Sequence, residues 1–150
     1  MAKNTQQVKI KNRIAEYEYF LLSKLTAGIV LTGTEIKSIR EGKANLTDAW
    51  CRIDNEELWV VGLHIAEYSR GGHYNHTPLR ERKLLVNKKE LRKLASKIKE
   101  KGTSIIPTLL FINENGYAKL EIAVAKGKKQ YDKRETIKEK DVLRDMSRAE

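Results

Sequence analysis

At 150 residues the chain is the size of one domain, and a chain of that length buries roughly 70% of its unfolded surface around a single core. No apolar run approaches the ~20 residues needed to span a bilayer, the opening stretch MAKNTQQVKIKNR is polar, and the lone Cys51 supplies neither an internal disulfide nor a structural zinc site, so a soluble, cytosolic protein is expected. Thirty basic against twenty acidic residues leave a formal charge of +10, a positive field that predicts a polyanionic partner.

The first β-prone runs are EYEYFLL and AGIVLTG, punctuated by Gly28 and Gly33, and they read as two short strands. Thr34 is placed to cap a two-turn helix over EIKSIRE, with Ile36 and Ile39 on one face and Gly42 as its stop. AWCRID and ELWVVGLHI flank Asn55 and Glu56 and read as a hairpin, with Ala49, Cys51 and Ile53 alternating against Trp50 and Arg52. One longer helix is well signalled: Asn87 as cap, Glu90 completing a capping box, Leu91, Leu94 and Ile98 on one face, Gly102 as stop. A second hairpin joins TSIIPTLLFI to YAKLEIAVA through NENG, where Asn115-Gly116 suits a type I′ turn. Pro107 cannot donate to a ladder and predicts a strand edge or bulge. About six short strands with inserted helices predict a mainly β fold, a small closed barrel of the oligonucleotide-binding (OB) type over residues 1–125.

After Ala125 the chain is a charged tail, 126–150, with nine basic and six acidic residues, so +3 lies there and +7 on the body. Its large aliphatic residues are Ile137, Val142, Leu143 and Met146, too few to dock on the body. Helix starts are nested at Asp132 with Glu135 and at Thr136 with Glu139, but a helix of about a dozen residues is marginal in water without packing. The free tail is expected to be disordered and to become helical inside an anionic channel.

Catalytic constellations are thin. His73 and His76 in RGGHYNHTPLRER lack a third metal ligand, the same segment lacks the Lys and Ser or Thr of a phosphate-cradling loop, and nothing ties Cys51 to His64 as nucleophile and base. No catalytic residue, metal or cofactor is expected. What accumulates is basic residues interleaved with aromatics and amides: Asn12 and Arg13 before Tyr17 and Tyr19, Lys37 and Arg40 on the short helix, then Lys43 and Asn45. Cations neutralise phosphates, rings stack on unpaired bases and amides read base edges, which suits RNA.

NRIAEYEYF, AGIVLTGTEIKSIREGKANL, RERKLLVNKKEL and AKGKKQYDKR, in that order, resemble the SsrA-binding protein (small protein B) family over nearly the whole chain. The resemblance implies an OB-type barrel that binds the tRNA-like domain of transfer-messenger RNA and accompanies it to stalled ribosomes for trans-translation, with elongation factor Tu in the delivery complex. It adds Glu35, Ser38, Arg82, Lys83, Leu85 and Asn87 to the RNA face. It also implies that Lys126, Lys128, Lys129, Tyr131, Asp132, Lys133 and Arg134 act at the decoding centre of the small-subunit RNA, the following helix lying in the vacant messenger path. Ile14, Tyr17 and Thr26 depart from the residues common at those points of the family. The competing readings are a generic single-strand RNA binder and, from another class, an RNA-processing enzyme, which would need clustered acids, bases or a cofactor loop.

Overall fold

The computed structural model describes residues 8–129 and 134. In chain order the elements are β1 Lys9–Lys11, α1 Ala15–Glu18, β2 Tyr19–Ile29, α2 Gly33–Arg40, β3 Ala44–Asn45, β4 Trp50–Asp54, β5 Glu57–Val61, β6 His64–Ile65, β7 Arg82–Leu85, α3 Lys88–Lys97, β8 Thr103–Ile112 and β9 Ala118–Gly127. Among the described residues every pairing of the large sheet is antiparallel, and the neighbours run β8, β4, β5, β7, β2, β9 and back to β8. That ring is a closed barrel, mainly β with inserted helices, as the pattern predicts. Closure leaves few unpaired strand edges, and β8 divides its remaining edge between β4 at Ile105 and β1 at Leu109–Phe111. The tail features read at 135–150, and Tyr131, Asp132 and Lys133, lie outside the described residues.

Alternation fills the barrel. Ala27 and Ile29, Leu58 and Val60, Leu84, Leu110, Leu120 and Ile122 all point inward and are buried, and full burial of each large aliphatic is worth roughly 1.5–3 kcal/mol. α3 closes one opening with Leu91, Leu94 and Ile98 against this core; its Asn87–Glu90 capping box is present in both directions. α2 lies on another part of the barrel with Ile39 fully buried. A smaller cluster of Ala15, Ile106 and Ala125, flanked by Tyr19 and Leu21, packs beneath α1.

Three local readings are corrected. EYEYFLL is not a strand from its start: Ala15–Glu18 forms one helical turn, because burying Ala15 on Ile106 and Ala125 outweighs the β-preference of the tyrosine-rich stretch. The chain then runs as a single strand through Gly28, with a bulge at Leu22 in place of a break. The α2 cap is Thr32, not Thr34, in a reciprocal capping box with Glu35. The NENG turn is not type I′, since Asn55 and Glu56 are the only non-glycine residues of positive φ among those described. Asn113 organises it instead: its Oδ1 accepts from the backbone N–H of Asn115 at 3.1 Å and of Tyr117 at 2.9 Å, and Gly116 alone takes the left-handed conformation. The left-handed pair is in the other hairpin, at Asn55 (φ 49°) and Glu56 (φ 59°). Pro107 sits at a shift of register between β8 and β9, the expected bulge. β9 continues through Lys126 to Gly127, pairing with Phe20 and Tyr19 of β2.

Candidate nucleic-acid interface

The predicted residues fall into two groups. The larger is built by the end of β2, α2, the turn that follows it, and β7. Val30 N–H donates to Lys83 C=O at 2.9 Å, and Gly28 lies opposite Leu85, where an added Cβ would stand 3.3 Å from the Leu85 Cβ. This delivers the chain into α2 directly beside β7. Lys37, Arg40, Lys43, Asn45, Leu85 and Asn87 are exposed there, and Lys83 is half-buried. Gly42, at φ +75°, reverses the chain after α2; Lys43 Nζ lies 3.4 Å from Glu41, and Asn45 Oδ1 accepts from Thr47 N–H at 2.8 Å.

Beneath this face is a buried ion-pair node. Glu35 and Arg82 are both fully buried. One Glu35 carboxylate oxygen accepts from Arg80 Nη2 at 2.6 Å and from the Thr32 N–H at 2.8 Å; the other accepts from Arg82 Nε. Arg82 also donates to the carbonyls of Leu63 at 2.7 Å and Pro78 at 3.1 Å. Burial alone would push the Glu35 carboxyl up, but the bonds from Arg80, the Thr32 N–H and Arg82 together hold it at about 2. The carboxylate is therefore ionised and saturated by its own protein. Ser38, also buried, donates to Ala66 C=O at 2.7 Å. Glu35, Ser38 and Arg82 thus lie under the face, not on it: helix dipole, capping box and two guanidinium groups all draw the carboxylate inward. Arg80 was missed in the sequence; a buried acid in a basic segment implies counter-charges, and the alternation of Arg80 and Arg82 in PLRER was the available signal.

The second group is Asn12, Arg13 and Tyr17. Asn12 is buried, its Nδ2 donating to Pro107 C=O at 2.9 Å and Leu46 C=O at 3.3 Å, so it staples the end of β1 to the β8 bulge and to the loop after Asn45. Arg13 is exposed beside an open cleft of about 500 Å³ that Lys11 and Lys24 also line. Tyr17 is half-buried on α1, which is tied to the start of the tail: Lys128 N–H donates to Glu18 C=O and Lys128 Nζ to Glu16 C=O, each at 2.8 Å. The Lys128 ammonium also stands 5.0 Å from the centre of the Phe20 ring. Lys126, Lys129 and Arg134 are exposed.

The weaker alternatives meet specific obstacles. His76 Nε2 donates to Ile65 C=O and its Nδ1 accepts from the Thr34 hydroxyl, both at 2.9 Å, so neither nitrogen is open to a metal shared with the exposed His73. Among the described residues no group of three His, Cys, Asp or Glu is arranged for a metal ion. Cys51 is enclosed in the barrel and burial pushes its thiol far up, whereas His64 is exposed on β6; a thiolate nucleophile is not available. No helix among the described residues is long and apolar enough to cross a membrane.

Comparison with known proteins bears on the same residues. The family model described as SmpB protein matches residues 9–150. The SsrA-binding protein of Bacteroides thetaiotaomicron is 60% identical over 141 residues, 94% of each chain. That of Cytophaga hutchinsonii is 57% identical over 143 residues, 95% of this chain and 94% of the relative. That of Desulfitobacterium hafniense is 48% identical over 148 residues, 99% and 94% respectively. A solved structure described as "tmRNA-SmpB: a journey to the center of the bacterial ribosome" contains a chain 42% identical to this one, with a TM-score of 0.71, covering 82% of this chain and 86% of that one. With agreement in sequence from β1 through the basic tail and in the barrel itself, the chain belongs to the SmpB family of SsrA-binding proteins.

Proposed function

We propose that the protein is an RNA-binding adaptor: it binds the tRNA-like domain of transfer-messenger RNA and brings it to stalled ribosomes, its tail acting in the decoding centre and the empty messenger channel. The observation that carries this is the α2–β7 face, where Lys37, Arg40 and Lys43 project from a support locked by the buried Glu35–Arg82 pair and the partly exposed Arg80. Exposed cations engage phosphates while Asn45 and Asn87 offer amides beside the apolar Leu85; Glu35, Ser38 and Arg82 position the face without touching RNA. Pre-organisation of this kind lowers the entropy lost on binding. Tyr17 lies on α1, the helical turn to which Lys128 is bonded, and Arg13 is exposed just before that turn. The role is one of charge and position, with no catalytic step.

The generic single-strand binder predicts equal affinity for any oligonucleotide, whereas the adaptor prefers a structured tRNA-like elbow at matched salt. Competition between the tRNA-like RNA and an unstructured RNA of equal length separates the two, and indifference would defeat the adaptor reading. For the tail, truncation after Lys129 preserves β9 and the Lys128 bonds to α1. It is expected to leave RNA affinity nearly unchanged while abolishing tagging of stalled chains on ribosomes. Normal tagging by the truncated protein would remove the decoding-centre role.

A further inference from the structure

We propose that Tyr74, at the tip of the loop 67–76, stacks on an unpaired nucleobase of the RNA that the α2 face holds by its phosphates; the proposal rests on the reading of that face as an RNA site. Tyr74 is 91% exposed, the most exposed of the large hydrophobic side chains among the described residues. Nothing in the fold requires a bare ring there, and an aromatic residue left in water is a candidate for contact.

The loop that carries it is internally braced. Asn75 acts as a clip: its Nδ2 donates to Tyr68 C=O at 2.7 Å, and its Oδ1 accepts from the N–H groups of Tyr68 at 3.0 Å and His76 at 3.2 Å. Inside the clip, Gly71 N–H donates to Tyr68 C=O at 2.9 Å and Tyr74 N–H to Gly71 C=O at 3.1 Å, forming a short 3-10 turn over Gly72–Tyr74. A Cβ on Gly71 would lie 2.7 Å from the Asn75 amide, so the clip needs glycine at that position. The base of the loop is fastened to α2 twice: by the Thr34–His76 bond at 2.9 Å, and by Lys37 standing 5.5 Å from the centre of the Tyr68 ring.

This geometry places an exposed ring two residues before His76, the anchor that is bonded to the basic helix. Arg70, exposed on the same loop, adds a cation to that of Lys37 beside Tyr68, with Glu67 at the loop's start as the loop's one acid. A nucleobase fits these features better than an apolar peptide, because stacking needs only a fixed π-face and the surrounding cations suit the attached phosphates. Tyr68 itself serves as a strut, leaving Tyr74 as the stacking group.

The test is the affinity of full-length Tyr74→Ala, Tyr74→Phe and Tyr74→Leu for the tRNA-like RNA over a range of salt. Alanine is expected to raise Kd about 10-fold or more, phenylalanine to retain binding, and leucine to lose most of it. The log–log salt slope should be unchanged in all three, since no phosphate contact is removed. Thermal midpoints close to that of the unaltered protein are expected for so exposed a position. Native affinity in Tyr74→Ala, native affinity in Tyr74→Leu, or a reduced salt slope would each overturn the stacking role. If the unaltered protein binds the tRNA-like RNA but Tyr74→Ala does too, only this inference falls; if the unaltered protein does not bind it, the adaptor reading falls as well.

Discussion

Glu35 is an acid inside a basic face, and its neighbours determine what it does. Replacing it by Gln leaves the guanidinium of Arg82 buried without its counter-charge, which is expected to cost about 3–5 kcal/mol in urea denaturation. The pH dependence has a definite sign. The folded carboxyl, at about 2, lies below the ordinary value of 4.5, so its stabilisation is complete above that ordinary value and is lost as pH falls towards 2, a change on the order of 3 kcal/mol. Stability measured from about pH 5 down to about pH 2 should therefore fall less steeply in Glu35→Gln than in the unaltered protein. An equal slope in the two proteins would mean that Glu35 is not held ionised by this node. Gly62 is the other sharply constrained position: at φ +77° an added Cβ would stand 2.7 Å from Asp48 C=O. Gly62→Ala is expected to cost about 1–3 kcal/mol, read as a lowered thermal midpoint.

At the level of elements, the two hairpins invert the expectation from their sequences. Asn115-Gly116 resembles a left-handed pair, yet the left-handed pair is Asn55-Glu56, where no glycine is present to signal it. Relieving Glu56 with Glu56→Gly is expected to stabilise the protein by roughly 0.5–1 kcal/mol, the removed strain being partly offset by the entropy of glycine. Asn113→Ala should destabilise more than Asn115→Ala, because only Asn113 Oδ1 accepts two backbone N–H groups in its turn; comparison of chemical denaturation midpoints checks both. In α3 the sequence signal was complete, and Asn87→Ala is expected to cost about 1 kcal/mol through loss of the cap. The proposed second role of Asn87, beside the proposed RNA face, can then be separated from its capping role by measuring stability and RNA affinity on the same variant.

For the whole molecule, the charge of +10 acts through the surface that the fold leaves open. The triple variant Lys37→Ala, Arg40→Ala, Lys43→Ala is expected to remain folded, to bind the tRNA-like RNA more weakly, and to show a shallower salt dependence, by about 0.9 in log–log slope per lost duplex phosphate contact. Circular dichroism checks the fold, and an unchanged slope with unchanged affinity would make this face surface decoration. Salt acts differently on the Glu35–Arg82 pair, which is fully buried and so shielded from solvent ions, so stability should depend on salt far less than RNA affinity does.

What the sequence by itself determined was whatever local spacing encodes. The α3 cap and stripe, the β4–β5 and β8–β9 hairpins, the Pro107 bulge and the barrel class all follow from neighbours a few residues apart, as does the excess of positive charge. The tertiary structure decided which charged and polar residues face inward. Glu35 meets Arg82 across 47 positions and Asn12 meets Pro107 across 95, and no local periodicity reports pairings of that length. For the same reason the helical turn at Ala15–Glu18 was hidden: its strand-like residues yield to a contact with Ile106 and Ala125 that exists only once the barrel has closed. Composition could place cations near one another along the chain, but only closure of the sheet separates those that reach solvent, such as Lys37 and Arg40, from Arg82, whose charge is neutralised in the interior to hold them in place.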